Sequence, residues 1–123
     1  MATNQVCDGN VITYNNTGSA ISAGDIVVLK HCIGIALVDI AATSGSGSVA
    51  IEGVFSGVPK VSAAVFVKGE KLIWDTSASS FDDSAATPAS GDITGACVAW
   101  EAGANAETTC TIKLTPGNAT LTA

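Results

Sequence analysis

Glycine punctuates this chain so densely that no stretch is left for a long helix. Gly24, Gly34, Gly45, Gly53, Gly57, Gly69, Gly91, Gly95 and Gly103 interrupt every window, and each one inside a helix costs about 1 kcal/mol relative to alanine. Between the glycines lie short apolar runs: Val11 to Tyr14, Asp25 to Lys30, Ile33 to Ile40, Ser48 to Phe55, Ala63 to Val67, Lys71 to Asp75, Ile93 to Trp100 and Thr108 to Leu114. Their length, their β-branched residues and the turn residues between them match the spacing of an all-β sandwich or barrel of about eight short strands. At 123 residues the chain has the size of one domain. The reading places a flexible N-terminal arm at 1–10, a β domain at 11–115 with a loop inserted at 76–92, and a C-terminal tail at 116–123.

The runs also repeat. GDIVVLK (24–30), GIALVDIA (34–41) and SVAIEGVF (48–55) align with GEKLIWD (69–75), GACVAWEA (95–102) and TTCTIKL (108–114). Two pseudo-repeated three-strand units result, each opening on Gly and an acid suited to a turn. A pseudo-twofold sandwich or barrel is the expected arrangement.

Charge narrows the function. The net charge is −6, with five lysines and no arginine, whereas affinity for a phosphate backbone comes from Lys and Arg displacing counterions. Nucleic acid is therefore not an expected partner. The stretch GSGSVA (45–50) fits the G-x-G-x-x-G/A letters of a dinucleotide loop, but Gly45 and Gly47 lead into a β-type run rather than a helix N-terminus, so the phosphate-holding dipole is missing. There is no G-x-x-x-x-G-K-[ST] match. No N-terminal segment joins basic residues to an apolar stretch, and no apolar run approaches the ~20 residues that span a bilayer, so the expectation is a soluble protein with no membrane partner.

The residue types that carry chemistry do not assemble into a motif. His31 is the single histidine and stands beside Cys32; if both lie on a strand, their side chains diverge. Cys7, Cys32, Cys97 and Cys110 show no C-x-x-C pair and read as free thiols. Asp75, Asp82, Asp83 and Asp92 crowd the insertion, yet it lacks the glycine and terminal glutamate of a calcium loop and reads as solvated and acidic. Asp25 and Glu70, which could be a carboxylate pair, hold equivalent turn positions in the two repeats. The sequence thus assigns no catalytic, cofactor-binding or metal-binding residue and describes an interaction module rather than an enzyme.

Two features suggest self-association. Only 13% of residues are charged, about half the usual globular level. From Asp25 to Leu37 both alternating faces are apolar, with Ile26 and Val28 on one and Val27 and Leu29 on the other, so a core could cover one face and a neighbouring subunit the other. Trp74 and Trp100, in step with Leu72 and Val98, read as core or subunit-contact residues.

Gly24-Asp25-x-Val27-Val28, Gly34-Ile35-Ala36-Leu37-Val38-Asp39-Ile40-Ala41, Val49 to Phe55 followed by Pro59-Lys60, Gly69-Glu70-Lys71-Leu72-Ile73-Trp74-Asp75 and Gly95 to Ala99 occur in an order that resembles the capsid decoration, or head cement, proteins of tailed bacteriophages, a family sometimes mislabelled as recombinase-associated. The likeness runs from about residue 8 to residue 114. It implies a virion protein, made in the host cytoplasm, that adds to the outer surface of an expanded capsid and stabilises it, commonly as a homotrimer, with the major capsid protein as partner and no catalysis. The insertion and the tail TPGNATLTA depart from the family pattern. A non-catalytic carbohydrate-binding β-sandwich, which would display exposed aromatics, is the alternative.

Overall fold

A computed structural model describes residues 4–123; the first three residues of the arm lie outside the described residues. Ten strands and no helix are present among the described residues. The first four are β1 (Val11–Asn15), β2 (Ile26–Val28), β3 (Ile33–Ala36) and β4 (Ser46–Ala50), and they form an antiparallel sheet in the order β1-β4-β3-β2. The rest are β5 (Gly53–Pro59), β6 (Lys71–Asp75), β7 (Ser80–Asp82), β8 (Ile93–Ala99), β9 (Thr109–Leu114) and β10 (Thr120–Leu121). They form a second sheet in the order β5-β9-β8-β6-β7, with β10 paired to β8.

The all-β expectation holds, and four details differ from the sequence reading. The run Ser48 to Phe55 is two strands, because Gly53, at φ 121°, turns the chain out of β4 and into β5. Ala63 to Val67 is not a strand and makes one antiparallel bridge, Phe66 to Gly103. The insertion contains β7, whose Phe81 is fully buried against Trp74, ring centroids 4.9 Å apart. The tail contains β10, held where Gly91 N–H donates to Thr122 O and Thr122 N–H to Asp92 O, each at 2.9 Å.

The repeat is larger than three strands. The order β1-β4-β3-β2 recurs as β5-β9-β8-β6, so each unit begins with a strand that pairs with the last strand of its own unit. The turns repeat to the atom. In the first unit Asp25 N–H donates to Ser22 O at 3.0 Å while the Asp25 carboxylate accepts from Ser22 N–H at 2.9 Å. In the second, Glu70 N–H donates to Val67 O at 3.2 Å and the Glu70 carboxylate accepts from Val67 N–H at 3.2 Å. Gly24 and Gly69 precede these acids at φ 93° and 85°, a region in which a side chain is strained, which is why both repeats need glycine there. The following strands also correspond: Ala36 N–H reaches Asp25 O as Ala99 N–H reaches Glu70 O, and Leu37 N–H reaches Ser48 O as Trp100 N–H reaches Thr111 O.

The two units do not bury the same face. One cluster between the sheets joins Ile33 and Ile35 of β3 to Leu72, Trp74, Phe81, Ile93, Cys97, Ile112 and Leu114. On the other side of the first sheet Val27, Ala36, Ile40 and Val49 form a second, smaller cluster with Tyr14, Ile21 and Leu29. The two-sided apolar pattern of Asp25 to Leu37 is partly satisfied within the chain, because Ile26 packs on the first cluster and Val27 and Leu29 on the second, while Val28 and Leu37 remain exposed.

Candidate interaction surface

Several of the residues considered for chemistry have structural roles. Gly47 sits in β4 and Gly45 just before it; a Cβ on Gly45 would stand 2.5 Å from Ala41 O, and one on Gly47 2.7 Å from the Ile40 side chain. The glycines of GSGSVA let segment 38–41 cross close over β4, and no helix follows them. His31 and Cys32 do not lie on a strand but in the connection from β2 to β3, closed by Leu29 N–H to Cys32 O at 2.8 Å with Lys30 at φ 72°.

The four acids in and beside the insertion are separated by the backbone they cap. Asp75 accepts from Ser77 Oγ at 2.7 Å and from the amides of Ser77 and Ala78. Asp92 is buried and accepts from Thr76 and Ala89 N–H at 3.1 and 2.9 Å. Asp83 takes the amides of Val65 and Ala85, and Asp82 the amide of Asp83. Among the described residues no three His, Cys, Asp or Glu side chains converge. A cleft beside Trp74, lined by Gly24, Asp25, Gly57, Pro59 and Ser79, contains Asp25 as its sole titratable group.

Lys60 follows Pro59 at the end of β5, and the sequence does not show its role. It is 3% exposed, with no carboxylate partner among the described residues. Its ammonium instead donates to Val61 O and Ala104 O at 2.9 Å and to Glu107 O at 3.2 Å, with Ser62 O at 3.4 Å and the Phe66 ring centroid 5.7 Å away. Three ammonium protons thus tie segment 61–62 to the 104–107 turn. Together with the Phe66–Gly103 bridge, the lysine fixes two segments that have no strand ladder of their own.

These segments present an apolar surface. Phe66 points inward and its neighbours outward, so Val65 and Val67 are 57% and 66% exposed. Across the bridge Trp100 is 49% exposed and lines a groove with Lys68, Gly69, Val98 and Glu101. Lys68 and Glu101 pair at 3.9 Å, which leaves the patch locally neutral on a chain of net charge −6. The repeat offers an internal comparison: where the second unit has Val67, Lys68 and Trp100, the first has Ser22, Ala23 and Leu37. Trp74, by contrast, is buried. The two tryptophans do not form the exposed pair that a glycan platform uses.

The fold and this surface define a class: an all-β double-sheet protein whose distinctive exposed chemistry is apolar contact area held on braced loops. The phage cement protein family model matches residues 6–114, and the chain belongs to that family, which makes it a structural protein of the phage capsid. No curated protein matches the sequence. Among the described residues no helix is long and apolar enough to cross a membrane.

Proposed function

We propose that this protein binds the outer surface of an assembled phage shell and stabilises the expanded shell, with the major capsid protein as its partner and the Trp100 patch as its principal contact. The observation that carries the reading is the half-exposed Trp100, which lines a groove with Lys68 and Glu101, themselves a neutralised pair. Tryptophan is among the residue types that dominate protein–protein affinity, while a neutral patch on an acidic subunit avoids an unpaired charge at the contact itself. Copies arrayed on a lattice gain effective concentration from their neighbours, so each contact can be weak. Binding only the assembled state stabilises that state by mass action.

The test is to mix purified protein with expanded shells that lack it and to image which lattice points fill. The parent protein should decorate the outside, and Trp100→Ala should lose roughly thirtyfold in affinity, the size of a hot-spot truncation. No decoration by the parent contradicts the function. Full decoration by the variant contradicts the choice of patch.

A further inference from the structure

We infer that the free edge of β1 is a homotypic contact, pairing with β1 of a second copy of this chain across a twofold axis centred on Thr13. The repeat points to the edge. β1 and β5 are equivalent first strands, each lying at the end of its sheet order. β5 is blunted in three ways: its register shifts between Phe55 and Val58, it ends in Pro59, and the chain beyond it meets β7 through the Lys60–Phe81 bridge and Val61 N–H to Phe81 O at 2.9 Å. Such features keep an edge from recruiting another strand. β1 has none of them. VITYN carries no proline, no charge and no bulge, and Val11, Ile12, Thr13 and Asn15 are all exposed. No strand pairs with its outer side among the described residues.

The alternation of the ladder says what the edge can take. Ile51 N–H donates to Asn10 O at 3.0 Å and Asn16 N–H to Gly45 O at 2.8 Å, so even-numbered residues form the hydrogen-bonded pairs with β4. Val11, Thr13 and Asn15 therefore direct their N–H and C=O groups outward. An antiparallel copy centred on Thr13 places Val11 opposite Asn15, Thr13 opposite Thr13, and Asn15 opposite Val11. Every outward group then finds a partner.

The side chains agree with the same register. On one face Thr13 meets its symmetry mate, and on the other Ile12 meets Tyr14, an aromatic and β-branched pair; both combinations favour cross-strand packing. The absence of charge from the strand matters because both partners carry net charge −6, and like charges directly opposite each other would oppose pairing. A twofold contact of this kind is isologous and closes on itself. It is independent of the shell-binding reading and of any ring formed through another surface.

Amide exchange on the full chain at high and low concentration tests the inference, together with sedimentation of Thr13→Pro and Thr13→Lys. Thr13 N–H is not used by β4, so proline there removes an outward donor without breaking the internal ladder. Lysine places two cations on the axis and leaves the backbone intact. At high concentration the amides of Val11, Thr13 and Asn15 should exchange roughly tenfold more slowly than on dilution, with Ile12 and Tyr14 unchanged. Both variants should sediment at half the parent's mass with an unaltered circular dichroism spectrum. Concentration-independent exchange at the three odd positions, a parent that is already monomeric, or variants that sediment as the parent does would each overturn it. So would protection of those amides only when shells are added, which would make the occupant a strand of the shell.

Discussion

Replacing Lys60 with methionine tests how the loops that hold the candidate contact surface are kept in place. Methionine is close in length and apolar, so the stem's packing is largely retained while the ammonium is removed. Three donated hydrogen bonds disappear, to Val61 O and Ala104 O at 2.9 Å and to Glu107 O at 3.2 Å; the fourth carbonyl, at 3.4 Å, adds little. Bonds from a charged donor contribute about 1.5–3 kcal/mol each. Two corrections lower the sum. Ala104 and Glu107 are exposed, so water can take over part of their acceptor capacity, and the variant no longer has to bury an ammonium. A net loss of about 2–4 kcal/mol follows, or roughly 10 °C in Tm for a domain of this size. Urea denaturation of parent and variant, followed by tryptophan fluorescence, measures it. A variant within about 0.5 kcal/mol of the parent would refute the argument that the lysine braces these segments.

The matched turns make a second prediction. Gly24→Ala and Gly69→Ala should each cost about 1 kcal/mol, since both sit at positive φ with nothing within 4 Å of an added Cβ, while Ala106→Gly, at φ 75° in a turn of the same kind, should stabilise by a similar amount; chemical denaturation of the three variants compares them. Ser84 N–H at 2.9 Å, helped by the Ser84 hydroxyl and Val67 N–H, holds the Glu70 carboxyl below its ordinary value of 4.5. Ionised Glu70 therefore stabilises the fold above that value, and the contribution is lost as the pH falls through the lowered folded value, so Glu70→Gln should flatten the acid limb of a stability–pH curve and leave its neutral region parallel to the parent's. Burial pushes the Cys110 thiol up to about 11 and raises that of Cys97, with Cys110 nearby adding to the effect. A thiol reagent at neutral pH should modify exposed Cys7 at once and reach Cys97 and Cys110 only on unfolding, as mass spectrometry of timed samples would show.

The all-β class was legible because glycine spacing and alternation act locally, and the strands at 71–75, 93–99 and 109–114 follow from them directly. The repeat was legible as well, though its true length was not. Val49, Ile51 and Phe55 look like one strand with a slip, and only the positive φ of Gly53 divides the last strand of one unit from the first of the next. β7 was hidden for a different reason. Ser80-Phe81-Asp82 has no pattern of its own, and it becomes a strand because Phe81 fills the core beside Trp74. Tertiary packing, not propensity, decides such a segment. The surface was half legible. Both tryptophans were singled out, but alternation alone did not separate buried Trp74 from exposed Trp100, which lies one residue past the end of β8. Lys60 gave no signal, since nothing in the sequence marks a lysine whose partners are carbonyls 44 and 47 residues away.

Heating DNA-filled particles with and without this protein measures the central claim most directly. Particles lacking it should release DNA at a lower temperature than decorated ones. Adding back the purified parent protein should restore retention, and adding back Trp100→Ala at the same concentration should restore less. Equal DNA retention in bare and decorated particles would contradict the account.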